Sequence, residues 1–182
     1  YLKGRYFWYQ RTEEALVKSV DYFQKAIEQD PGYAPAYAGL ADAYNILGGN
    51  LFRDPHEVFP KARAAALQAL ELDDTLSEAH VALGDSKLNY EWDWAGSQRE
   101  LKRAIELNPG NANAHQPYGY LLSKFGQHDE AVAEGCARCV DLFPRFPENR
   151  ARHHAGAFAG DRVACARRGR DWRRRRGLFR HC

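Results

Sequence analysis

A short phrase returns three times along this 182-residue chain: KAIEQDP at 25–31, QALELDD at 68–74 and RAIELNP at 103–109. Recurrence at a near-fixed period means one supersecondary unit stacked on copies of itself, because a single unit cannot bury its apolar face alone. Each copy puts Ala and then Ile or Leu on one helical face and ends in an acidic or amide turn, with a proline in two of the three. Seven positions before Ala26, Ala69 and Ala104 stand Ser19, Ala62 and Ser97, on the same face of the same helices. Small residues at that spacing let two helices approach closely.

A second pattern follows each phrase: AYAGLADAY at 36–44, AHVALGDSK at 79–87 and AHQPYGYLL at 114–122. Two helix types therefore alternate. Equivalent turns are 43 residues apart from Pro31 to Asp74, 35 from Asp74 to Pro109, and 35 again to Pro144, a repeat of roughly 34 with insertions. The extra residues of the second repeat fall in GGNLFRDPHEV, 48–58, which has the glycine and proline content of a hairpin tip. Thr12 and Asp93 are good N-caps, Asn111 stands at another helix start, and Thr75 with Glu78 spells a capping box. Helices are expected near 1–10, 13–29, 34–47, 56–72, 76–90, 94–107, 112–125 and 129–142, with no strand. The fold class expected is all-α, a solenoid of antiparallel helix hairpins.

These residues resemble the tetratricopeptide repeat, whose 34-residue helix pairs carry an aromatic, Leu-Gly and Tyr, then Ala, an aromatic, Ala and Pro. Tyr37, Leu40, Ala41, Tyr44, Ala62, Ala69 and Asp74 fill those slots in one repeat; His80, Leu83, Gly84, Lys87, Ser97, Ala104 and Pro109 fill them in the next. His115, Tyr118, Gly119, Leu122 and Ala131 do so in a fourth, while Ser19, Phe23, Ala26 and Pro31 fit a first repeat whose turn holds about three extra residues. The expected repeats are 1–31, 32–74, 75–109 and 110–143. More narrowly, YLKGRYFWYQRTEEAL, ALELDDTLSEAH and YEWDWAGSQRELKRAIELNP resemble the C-terminal repeat region of bacterial regulators whose other domain is a winged helix, an adenylate cyclase or a serine/threonine kinase. The resemblance implies a sensory or interaction region of a larger regulator, in the cytoplasm or on the periplasmic side of a membrane-anchored protein. With no methionine anywhere, the chain reads as a piece of such a protein.

The last 39 residues break the pattern. Residues 1–143 carry 14 Lys and Arg against 21 acids, whereas 144–182 carry 12 Arg against 3 acids and no Lys, Ile, Ser, Thr, Tyr or Gln. Such a segment reads as an out-of-frame or disordered tail; if genuine, RRRR at 173–176 with Trp172 offers nucleic acid or another anionic partner a phosphate-neutralising patch. All four cysteines, Cys136, Cys139, Cys165 and Cys182, lie in the last 47 residues, so no disulfide framework staples the rest. The C-x-x-C of Cys136 and Cys139 lacks the paired ligands of a zinc site.

No pattern for catalysis emerges. Gly48, Gly49 and Asn50 lack the Lys-Ser that a phosphate loop needs, and no nucleophile sits beside a base. Adjacent His153 and His154 would point apart on a helix. No catalytic residue, metal site, cofactor or small-molecule substrate is expected. His80 and His115 share a slot that suits core packing, and the aromatic clusters Tyr6–Tyr9 and Tyr90, Trp92, Trp94 suit packing at hairpin tips. What remains is the groove that first helices line in a solenoid. Its expected lining is Ala38, Asp42, Asn45 and Ile46, then Glu78, Val81, Asp85 and Asn89, then Gln116, Tyr120 and Lys124. Amides there suit the backbone of an extended segment, the two aspartates suit a partner with basic residues, and Lys124 is the one cation. A protein or peptide segment is the expected partner.

Overall fold

A computed structural model describes residues 1–133. Within them the helices are α1 (Leu2–Tyr9), α2 (Glu13–Gln29), α3 (Ala34–Gly49), α4 (Pro55–Leu72), α5 (Ser77–Ser86), α6 (Trp94–Leu107), α7 (Ala112–Lys124) and α8 (His128–Ala133), with no strand among the described residues. The expected helix over 76–90 ends at Ser86 and continues as a π-helical turn, Lys87–Glu91. The Arg-rich tail, the four cysteines, His153, His154 and the end of the last expected helix lie outside the described residues.

Local chemistry sets the helix starts. Thr12 accepts from the Ala15 N–H, Asp93 from Gly96 and Asn111 from Asn113, each satisfying a first-turn donor that the helix itself leaves open. The capping box expected of Thr75 does not form: its hydroxyl and N–H both donate to the Asp73 carboxylate, and α5 starts at Ser77. The aspartate two residues back competes successfully for the threonine.

The repeated small residues work as their spacing requires. Ser19, Ala62, Ala69, Ser97 and Ala104 have no solvent exposure, and the Ser19 hydroxyl donates to the Gly4 carbonyl across the α1–α2 pair at 2.9 Å. Fully buried Phe23 of α2 lies between Gly4 of α1 and Gly39 of α3: a Cβ on either glycine would stand 2.7 or 2.6 Å from its ring. Each hairpin packs on the next, and the odd-numbered helices also meet one another in succession, α1 with α3, α3 with α5 and α5 with α7. Even-numbered helices chiefly meet the odd ones on either side. The odd helices thus make a continuous layer, the arrangement that gives a helical solenoid its inner face.

His80 does more than pack. Nδ1 meets Glu100 at 2.9 Å and Nε2 meets the Asp74 carbonyl at 3.1 Å, while Glu100 also accepts from Lys87 at 2.7 Å. His115 repeats the carbonyl contact, its Nε2 lying 2.8 Å from Pro109 O. The bond to Glu100 raises the His80 pKa, and the bonds from His80 and Lys87 lower Glu100 to about 2.

The packing around Phe23 and the pairing of His80 can each be tested. Ala for Gly in a helix normally gains about 1 kcal/mol, but Gly39→Ala drives a methyl into a ring held on both sides, an overpacking cost of about 1–3 kcal/mol. Thermal melting is expected to place Gly39→Ala below the parent and Gly49→Ala, whose Cβ meets nothing within 4 Å, level with it or above. For His80, a raised histidine stabilises below its unfolded value of 6.5 and a lowered glutamate above its unfolded 4.5. The stability lost in His80→Gln is therefore expected to be largest between those values, narrowing as pH rises through the raised histidine pKa or falls toward 2; chemical denaturation across pH measures it.

Candidate partner-binding groove

The face of the odd helices gathers charge at one end. Asp42, in the middle of α3, is 7% exposed, and its carboxylate lies 3.8 Å from the Arg5 guanidinium of α1. Arg11, in the turn between α1 and α2, adopts a left-handed backbone with φ 56° and sets its guanidinium 3.7 Å from the centre of the Trp8 ring. Arg5 flanks the same ring at 4.5 Å. Its charge acts on both Asp42 and Tyr1, as does that of half-buried Glu78. Asp85 of α5, half-buried, feels Asp42 and Arg11.

The carboxyls are short of compensation. Burial pushes Asp42 up to about 7 against the pull of Arg5 and Arg11, and pushes Asp85 up to about 8 with the repulsion of Asp42 added. Among the described residues the Asp85 carboxylate has no hydrogen bond and no ion pair; the neighbouring Asn89 amide donates to the Asp85 backbone carbonyl instead.

Not every expected lining residue is open to a partner. Ala38 is buried against Ala69 and Ala79, and Val81 against Ala104 and Ala114, so both pack between helices. Asn45 is consumed inside: its amide donates to the Ala82 carbonyl at 2.8 Å and its oxygen accepts from Ser86 at 2.8 Å. Ile46 is half-buried against the main core cluster. Glu78, Asp85 and Tyr120 are half-buried, while Asn89, Gln116 and Lys124 are exposed, with the Lys124 ammonium 5.1 Å from the Tyr120 ring. The expectation of Lys124 as the one cation is corrected by Arg5 and Arg11, which α1 and its irregular turn carry to the aspartates. The hairpin-tip aromatics divide: Trp8 is core, Phe7 stacks on Tyr22 and Tyr90 on Phe59, but Tyr6, Tyr9 and Trp92 stay exposed.

Residues 100–133 match the family model of the tetratricopeptide repeat. Over 73% of this chain and 71% of the other, the fold is similar to the crystal structure of TTC0263, a thermophilic tetratricopeptide-repeat protein of Thermus thermophilus, with TM-score 0.57 and 17% identity. Residues 100–133 are thus matched as a tetratricopeptide repeat, and the described residues share the helical-hairpin fold of a tetratricopeptide-repeat protein. Over 144 residues, 79% of its length, this chain is 27% identical to the transcriptional regulator HilA of Salmonella typhimurium, and equally to that of Salmonella typhi. The chain spans about a quarter of the length of these relatives, 26%. Among the described residues no three His, Cys, Asp or Glu side chains gather as a metal site, and no helix is long and apolar enough to cross a membrane.

The raised carboxyls of the array have a stability consequence. A folded-state pKa above the unfolded value of 3.8 means the folded chain holds the proton more tightly, so Asp85 costs stability as pH rises from about 4 to about 8. Asp85→Asn is expected to match the parent near pH 4 and to exceed it at pH 8.5, read by denaturant midpoints at the two pH values.

Proposed function

We propose that this array is a non-enzymatic interaction module that takes an extended protein or peptide segment along the face of its odd helices. The observation that carries the reading is the unbroken run of contacts α1–α3–α5–α7, which makes one layer of four helices bearing the polar groups Glu78, Asp85, Gln116, Tyr120 and Lys124, with Asn89 on the π-helical turn that continues α5. A continuous layer binds over several repeats at once, so modest contacts in each repeat add up. Side chains with both apolar and hydrogen-bonding parts suit a backbone that must be held without a fixed sequence.

The module belongs, in this reading, to a larger bacterial regulator. Similarity to HilA, whose name states transcriptional regulation, supports that placement, and the array would supply the sensing or assembling part while another domain acts. The cytoplasm is the compartment proposed.

A photo-crosslinking amino acid placed in turn at Asn89, on the π-helical turn that continues α5, and at Gln116 on α7, and at Lys102 and Glu106 on α6, tests the reading in bacterial cells. Crosslinked partners are expected from the first two positions and not the second two, all four being exposed. Crosslinks confined to α6, or none from Asn89 and Gln116, would contradict it.

A further inference from the structure

The charged end of the groove is built but incomplete. Three carboxylates, Asp42, Glu78 and Asp85, and two guanidiniums, those of Arg5 and Arg11, gather within electrostatic range of Asp42. The nearest approach between the two sets is 3.8 Å, the long end of an ion pair, and Asp85 has no donor or cation within bonding distance among the described residues. A second group there lacks a partner among the described residues: the indole N–H of Trp8, a residue only 3% exposed, whose ring lies under both guanidiniums. Buried donors and carboxylates left so are uncommon, because each forfeits the hydration it gave up on folding.

We propose that the segment bound in the groove delivers a lysine or arginine side chain to Asp85 beside Asp42, and that Arg11 is a resident cation which the incoming one displaces. This rests on the groove reading above and names the chemistry of its occupant. An anionic group would meet three carboxylates. A basic side chain brings the missing charge, and displacing Arg11 from the Trp8 ring is what would open the indole N–H, otherwise sealed from solvent, to a peptide carbonyl. Arg11 is the movable member: it is exposed, stands in a turn rather than a helix, and rides on the Trp8 ring with no bonded carboxylate among the described residues.

The groups facing these carboxyls also set the pH response. Asp42 is acted on by Arg5, Arg11 and Glu78, and Asp85 by Asp42 and Arg11. With the carboxyls pushed up by burial, part of their population carries a proton near neutrality, and a bound cation expels it. Binding is expected to tighten between pH 6 and pH 8.5.

The test selects a random 12-residue peptide phage library on the full chain and measures the enriched peptides, made synthetically and dye-labelled, by fluorescence anisotropy. Asn89→Trp, which places a bulky ring in the groove, identifies groove binders. Among these, a shared Lys or Arg position is expected; Asp85→Asn weakens them about tenfold or more, replacing that basic residue by Gln adds no further loss in Asp85→Asn, and Arg11→Ala tightens them several-fold. Asp85→Asn is the variant expected to fold at least as well as the parent, so lost binding is not lost structure. Groove binders without a basic position, or indifferent to Asp85→Asn, overturn this inference and leave the groove reading standing. Enriched peptides indifferent to Asn89→Trp, or no enrichment at all, count against both.

Discussion

Backbones that nearly touch govern this array. The Ser19 hydroxyl reaches the carbonyl of Gly4 and the Ser77 hydroxyl that of Ala104, each at 2.9 Å, which requires neighbouring helices with almost no side chain between them. Close approach excludes water, so a polar group at the contact is satisfied only from inside, as Ser19 and Ser77 are and the Ser97 hydroxyl, among the described residues, is not. Asn111 completes Ser77 from the following repeat, and Asn45 with Ser86 and the Ala82 carbonyl forms the corresponding tie between α3 and α5. Apolar packing supplies the driving force, and these bonds fix how one hairpin sits on the next.

The groove is a consequence of that fixing. Because the odd helices touch one another in succession, they share a face, and what lies on that face is decided by depth as much as by direction. Ala38, Val81 and Asn45 point toward the layer but lie within the seam between helices. Asp42 sits nearly as deep and keeps its carboxyl only with Arg5 and Arg11 nearby. A carboxylate row at equivalent slots on successive helices is therefore an electrostatic cost of folding, and such costs persist where surrounding structure or function maintains them.

Helix number, type and most boundaries were legible in the chain because small residues recur at seven-residue spacing and prolines mark the turns. Ser19, Ala62, Ser97 and their partners declare a tight face whatever lies opposite. The π-helical turn at Lys87–Glu91 was not legible, since its residues are ordinary helix formers and the change of winding comes with tertiary packing. Nor were Arg5 and Arg11: they come from the least regular repeat, and Arg11 comes within electrostatic range of the aspartates from a left-handed backbone that arginine seldom adopts. The periodic pattern told which face Asn45 shares, while its burial depended on Ser86 and Ala82, 41 and 37 residues away.

Buried polar ties register the odd helices into one layer, and the groove depends on that registration. Native-state hydrogen exchange on the chain and on Asn45→Ala tests it most directly. Removing the amide takes from the buried Ser86 hydroxyl its acceptor and from the Ala82 carbonyl a side-chain donor in the α3–α5 seam, a cost of about 1–3 kcal/mol. In the parent, α3 and α5 are expected to hold the slowest amides; in the variant, α5 to α7 are expected to open earlier than α1 to α3, as a separate unit. Exchange in Asn45→Ala that is unchanged, or faster by the same factor in every helix, would contradict the role given to these ties.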